Sequence, residues 1–240
     1  MAKRFYKNAA AVPQGAGFAM TLDGRPVKTP AKRALVVPSL ALAEAMAAEW
    51  LAQNETILPA SMPLNRLANT AIDRVSAALA ETRAEILRFG ATDLLCYRAD
   101  SPDALVKAQA QAWDPLIAWL GNVHGIRLHT AKGVTPIAQP DAAARGLAAL
   151  LAPCDAFALT GLGSIAAAAG SLIIALAVQA GVLDSEAAWA AASVDEAFQR
   201  ARWGEDEEHG AMLAARRGDL TAAARFLKLL GEKGGGHDAG

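Results

Sequence analysis

The residues best placed for chemistry are Gly161-Leu-Gly-Ser-Ile-Ala166, which match the pattern G-x-G-x-x-A. The spacing predicts a strand over Asp155–Thr160 before it and an apolar helix after it. In that context, glycines let a backbone approach a pyrophosphate that sits on a helix N-terminus. A dinucleotide unit also needs a second parallel strand that ends in an acidic residue. Here Val182-Leu183 is too short, and Asp184-Ser-Glu-Ala187 opens a helix. A tight strand-to-helix turn is therefore expected, with a cofactor-binding enzyme as the alternative. His124 and His129 lie five apart on an expected loop, with no carboxylate or cysteine pattern beside them. Zinc ligation needs such partners. Cys96 sits in an apolar stretch and reads as an inert core thiol. The chain has no G-x-x-x-x-G-K-[ST] and no G-x-S-x-G. No carboxylate pair has the apolar surroundings that separate an acid from a base. The expectation is no catalysis, no cofactor and no metal.

Two features point elsewhere. Glu205-Asp-Glu-Glu208-His209 is the one dense acidic cluster. In a first helical turn, each acid would complement the helix dipole by about 0.3–1 kcal/mol. The other reading is a docking patch for Arg or Lys on a partner, setting orientation and association rate. Trp50 falls on the apolar side of a helical pattern, and core packing is its default. The same holds for Trp113, Trp119 and Trp203, with interface anchoring as the minority role.

The frame that must hold these residues is ample but not aromatic. The chain has 240 residues, one large domain or two small ones. Its 53% hydrophobic content excludes a disordered chain, and Ala makes up much of it. Lys and Arg number 23 against 24 Asp and Glu, which argues against binding nucleic acid through a dominant basic face. Two distant cysteines suggest no disulfide framework. The start, Met1-Ala-Lys-Arg-Phe-Tyr-Lys7, has no apolar or Arg/Ser-rich leader, so a cytoplasmic protein is expected. The run from Ala156 to Leu183 carries no charge. Its glycines, its many alanines and its acidic flanks favour a buried helix over Ser164–Ala180 rather than a membrane span.

Along the chain the period switches once. Gly17–Leu22, Arg25–Pro30 and Ala34–Val37 read as short strands, with Asp23-Gly24 as a hairpin turn. From Ser39, a helix cap, the spacing becomes helical, with Leu40, Ala43, Ala47, Trp50 and Leu51 on one face. Pro63 opens a second helix, with an apolar face of Leu64, Leu67, Ala68, Ala71, Ile72 and Val75. A third covers about 78–89, and Leu94–Tyr97 reads as a short buried strand. Further helices are expected over 103–120 with a kink at Pro115, over 141–151, from Ser185 to Trp203, over 205–217 and over 220–230. One strand is expected at Ile126–His129. The fold class is α+β: an N-terminal α+β domain over 1–80, a mainly helical domain over 81–230 and a disordered tail over 231–240.

Several ordered motifs then resemble one family. They are Arg4-Phe-Tyr-Lys7, Leu22-Asp-Gly-Arg-Pro-Val-Lys-Thr-Pro30, Glu49-Trp50 with Gln53, and Met62-Pro-Leu-Asn-Arg-Leu-Ala-Asn-Thr-Ala-Ile-Asp73. Asp93–Arg98, Trp113–Leu116, Ser171–Ala177 and Trp203-Gly204 with the acidic run complete the set. Over residues 4–210 the chain is similar to the ATP synthase assembly chaperones that act on the α subunit of the catalytic head. The resemblance implies a non-enzymatic protein with an orthogonal C-terminal helical bundle. It would bind the free α subunit and shield its β-facing surface until the head assembles. It also implies no nucleotide, nucleic acid, small-molecule substrate or membrane insertion. Glu207, four after Trp203, matches the family's Trp-Gly-x-x-Glu pattern and is the expected partner contact, with Asp206, Glu208 and Trp50 beside it. The family often has His three residues after that Glu, whereas His209 stands two after. Mitochondrial members of that family carry a presequence, and none is read at this start, so a bacterial cytoplasmic protein is expected, with a matured form as the alternative.

Overall fold

The structure, a computed structural model, describes residues 2–133, 137–204 and 207–232. It is α+β, 63% helical, with the strands concentrated near the N-terminus. The chain divides into two compact units.

The first unit holds the described residues of Met1–Leu79, Asp155–Gly161 and Arg225–Gly240. Its sheet has four strands, β1 (Ala9–Gln14), β2 (Gly17–Leu22), β3 (Arg25–Pro26) and β4 (Val36–Val37). β2 pairs antiparallel with each of the other three. β1 was not legible in the sequence. Ala-Ala-Ala-Val-Pro-Gln has few β-formers, and its place comes from pairing with β2 from Ala9↔Leu22 to Gln14↔Gly17. The Asp23-Gly24 turn is where the sequence puts it. Both residues have positive φ, 48° and 77°, the two-residue turn whose twist suits a hairpin. β3 and β4 keep only two residues each of the longer strands expected.

Helix α1 (Leu40–Leu51) starts at Ser39, whose Oγ accepts from the Leu42 N–H at 3.2 Å. Its buried stripe is Leu42, Ala43, Met46 and Ala47. The expected stripe through Leu40 and Leu51 is rotated away, and Leu51 is exposed. Alanine is why: with so many small apolar residues, several stripes score alike and packing chooses among them. Helix α2 (Pro63–Asp73) has Pro63 in its first turn and buries Leu64, Asn65, Ala68 and Ala71. These helices enclose a core of Met20, Leu35, Val37, Leu42, Met46, Leu64 and Phe226. Phe157 stacks on Phe226 with ring centroids 6.4 Å apart.

The second unit holds Ala80–Cys154 and the described residues of Leu162–Ala224. Its helices are α3 (Leu79–Ala91), α4 (Asp103–His124), α5 (Asp141–Leu151), α6 (Ala156–Ala169), α7 (Leu172–Gln179), α8 (Ser185–Ala192), α9 (Val194–Trp203) and α10 (Glu207–Gly231). The ends of α6 and α10 that fall in Asp155–Gly161 and from Arg225 onward belong to the first unit. Leu94–Cys96 is a 3-10 turn rather than a strand, and β5 (Tyr97–Arg98) pairs parallel with β6 (Ala131–Lys132). The strand expected at Ile126–His129 is absent, and pairing begins at Ala131. Pro115 lies inside α4, which runs on to His124 and ends at Gly125 with φ 67°.

Four readings along the second half of the chain are corrected. Asp155–Thr160 is not a strand but the start of α6, where the Asp155 carboxylate accepts from the Ala158 N–H at 2.8 Å. The expected single helix over Ser164–Ala180 is broken. Gly170, with φ 69°, ends α6, and Ser171 caps α7 by accepting from Ile174 at 3.1 Å. The segment from Ser185 to Trp203 is two helices that meet at Ser193. Conversely, Glu207–Gly231 is one helix where two were expected, with Gly218 and Asp219 inside it. Gly218 has no neighbour within 4 Å of where a Cβ would stand, so its cost in the helix is intrinsic only. Cutting the uncharged run into 14- and 8-residue helices has a further result. Among the described residues, no helix is long and apolar enough to cross a membrane.

Candidate functional site

The glycine motif has no phosphate-binding geometry. Gly161 and Gly163 lie within α6, so their N–H groups are spent in the helix and no strand-to-helix turn exists. Close packing explains Gly161. A Cβ there would stand 2.5 Å from Leu227 Cδ2, inside the first unit. The reading of small residues for tight packing holds, while the strand on which the cofactor alternative rested does not exist. Among the described residues, no group of three or more His, Cys, Asp or Glu side chains could hold a metal. Cys96 is fully buried, and burial, with the nearby Asp93 carboxylate adding to it, pushes its thiol up to about 12. At that value it is not a nucleophile near neutral pH.

The described acids of the cluster, Glu207 and Glu208, lie where α9 gives way to α10. Gly204, with φ 86°, ends α9. Glu207 and Glu208 form the first turn of α10, and both face solvent. Asp206 lies outside the described residues. The two described acids satisfy the dipole reading and remain open to an approaching cation. Trp203, the last residue of α9, corrects a core expectation: it is 72% exposed, with the Arg202 guanidinium over its ring at 5.6 Å. On α10, Met212 is also exposed. A large aromatic held in water beside acids is not the composition of a core. The missed signal was the tryptophan's place. It stands at a helix terminus, next to a glycine and an acidic run, where no apolar face continues.

Around Arg216, the other side of α10 is structural. Arg216 donates from Nε and Nη2 to the Ala168 carbonyl at 3.1 and 3.0 Å, which closes the end of α6. Its Nη1 lies 3.0 Å from Glu196.

Trp50 is half-buried and tied on three sides. Its indole Nε1 donates to Asn65 Oδ1 at 2.8 Å, and its carbonyl accepts from the Tyr6 hydroxyl at 2.7 Å. The Tyr6 ring meets it edge-on at 5.5 Å. Asn65 in turn donates to Glu49 Oε2 at 2.7 Å. The Glu49 carboxylate also accepts from the Leu64 and Asn65 N–H groups at 2.8 and 3.0 Å, so it caps α2. The Glu-Trp pair thus locks α1 to the start of α2. Trp50→Phe keeps the ring volume and deletes the donor, leaving Asn65 Oδ1 unpaired. We expect a loss of about 1–3 kcal/mol in urea unfolding, and an unchanged midpoint would contradict the assignment.

One face of Trp50 also lines a cleft of about 620 Å³ in the first unit, together with Phe5, Tyr6, Arg25, Pro26 and Lys28.

Comparison with known proteins agrees with the motifs. The family model described as ATP12 chaperone protein matches residues 3–121. Atp12 from Paracoccus denitrificans is 42% identical and superposes with a TM-score of 0.91, covering 95% of this chain and 98% of that one. A solved structure from Agrobacterium tumefaciens is 43% identical, with a TM-score of 0.91 over 95% of this chain and 86% of that one. The mitochondrial protein atp12 of Schizosaccharomyces pombe is 26% identical over 219 residues, 86% of this chain and 75% of that protein. The chain belongs to the ATP12 chaperone family, the ATP synthase assembly chaperones that its motifs resemble.

Proposed function

We propose that this chain is a non-enzymatic assembly chaperone that binds the free α subunit of F-type ATP synthase. It covers the α surface that later meets the β subunit, and it releases the client when β competes for that surface. The observation that carries the reading is the solvent-facing Trp203 beside Glu207 and Glu208, in a chain of this family. An exposed aromatic supplies affinity, and flanking carboxylates orient a basic partner. In this reading Asp206 is a further partner contact, and Trp50 serves both the local fold and the partner. The setting is the bacterial cytoplasm, with the mitochondrial matrix for eukaryotic relatives.

The test is a pull-down from lysate of the source organism, followed by titration with purified α subunit. Recovery of α without β, and displacement by added β, is the expected result. Recovery of neither subunit would overturn the reading. Glu207→Lys should weaken α binding by about tenfold or more, equivalent to about 1.4 kcal/mol. Its thermal midpoint should stay nearly unchanged, because the side chain is exposed. A large fall in midpoint with intact binding would leave Glu207 only its dipole role.

A further inference from the structure

The charge of this chain is balanced as a whole but not along its length. Residues 1–33 contain seven basic side chains and one acidic, Asp23, against a net charge of −1 for the whole. Asp23 lines the cleft too, its one carboxylate against the Arg25 and Lys28 cations, so the lining keeps a positive excess. Its carboxylate is turned to the Asn8 N–H at 2.8 Å and the Lys7 N–H at 3.1 and 3.2 Å. Those contacts, Asn8 foremost, hold it below its ordinary value. Arg25 and Lys28 stand exposed on the lining of the same cleft as Phe5, Tyr6 and Trp50.

Phe5 is 74% exposed, yet the chain that carries it is firmly held. Arg4 reaches back with Nε to the Tyr6 carbonyl at 3.2 Å and with Nη2 to the Lys7 carbonyl at 3.2 Å. Its Nη1 donates to the carbonyls of Leu51, the last residue of α1, and of Gln53 just beyond. Its guanidinium lies 4.9 Å over the Tyr6 ring. The Arg4 N–H donates to the Glu55 carbonyl at 2.8 Å. Phe5 then meets Tyr6 edge-on at 5.4 Å, and Tyr6 meets Trp50. The result is a preformed row of three aromatic rings with its outer member bare. Rigid presentation of an exposed aromatic lowers the ordering cost of binding.

We propose that this cleft is a second docking site, whose occupant is an extended acidic segment of a partner protein with apolar side chains interspersed. The apolar side chains lie against Phe5 and Pro26, and the carboxylates meet Arg25 and Lys28. Charge complementarity selects the occupant: a basic segment would meet like charge on the lining. The proposal stands whether or not the client is the α subunit.

The test uses fluorescein-labelled ten-residue peptides and anisotropy on the full chain. One peptide alternates Glu or Asp with Phe or Leu, and its control carries Lys at every acidic position. Saturable binding of the acidic peptide at micromolar concentration is expected, with none for the control. Arg25→Glu with Lys28→Glu, and separately Phe5→Ala, should each weaken binding by about tenfold or more. All three side chains are exposed, so thermal midpoints should not move, and circular dichroism checks this. Raising salt to about 0.5 M should weaken the acidic peptide, since these charges are accessible to screening. Equal binding of the two peptides, no saturation, or indifference to these substitutions would overturn the proposal. So would tighter binding of a ten-residue oligothymidylate that the same double variant abolishes, since that would assign the cleft to nucleic acid.

Discussion

Replacing Trp113 with alanine is expected to lower the unfolding free energy by about 3–5 kcal/mol, as for other fully buried large side chains. Trp113 is 0% exposed and lies within α4. Its indole Nε1 donates to the Ala191 carbonyl, in α8, at 2.8 Å. The Arg98 guanidinium stands 5.3 Å over the ring, and its Nη1 bonds Asp114 at 2.7 Å. Alanine would therefore remove the packing volume, strand a buried carbonyl and deprive Arg98 of its aromatic face. Trp113→Phe separates these effects. It keeps most of the volume and loses the donor, so about 1–3 kcal/mol is expected. Urea unfolding of the two variants decides the matter. A loss below about 1 kcal/mol for the alanine variant would mean that the site collapses without penalty.

Asp93→Ala should destabilise the protein as well, and its cost should depend on pH. Asp93 is fully buried between the end of α3 and the start of α7. Its carboxylate accepts from the Leu95 and Ile173 N–H groups, both at 3.1 Å, and the Ser171 hydroxyl bonds it. Burial nevertheless dominates and raises its pKa from 3.8 to about 6. In the native state the group thus holds its proton where the unfolded chain has already lost it. Its contribution is complete below about pH 4 and is lost as pH rises through about 6, a change on the order of 3 kcal/mol. The alanine variant has no such group. The gap in unfolding free energy between wild type and variant should therefore narrow from about pH 4.5 to about pH 7.5, either side of the raised pKa. A gap that stays constant would show that Asp93 titrates alike in the folded and unfolded chains.

Particular elements show what the sequence made legible. The Asp23-Gly24 turn, the Ser39 cap, Pro63 at the start of α2 and the 141–151 helix all follow from local chemistry, and all are present. These are short-range signals, in which a residue's own φ preference or side chain suits the nearest backbone groups. Several of the misread segments share one cause. In Asp155–Thr160, and through the alanine-rich stretches to Ser193, small apolar residues carry no periodicity that separates strand from helix. Length alone misled at Ser164–Ala180, where Gly170 and Ser171 end one helix and cap the next.

For the candidate site, the ordered motifs were enough to place the chain among the ATP synthase assembly chaperones. The position of Glu207 four residues after Trp203 is likewise plain in the chain. Exposure was not. Gly204 and the acidic run mark Trp203 as a helix end, but only the fold shows that Trp113 is 0% and Trp203 72% exposed. Burial depends on which neighbours other segments bring, and a single segment does not encode that. The same holds for the first unit, where Phe157 and Phe226 join a core built largely from residues 20–68. Local residue chemistry determined the caps, the turns and the family. Long-range packing alone decided which tryptophan is structure, which is surface, and that Gly161 makes room for Leu227 instead of a phosphate.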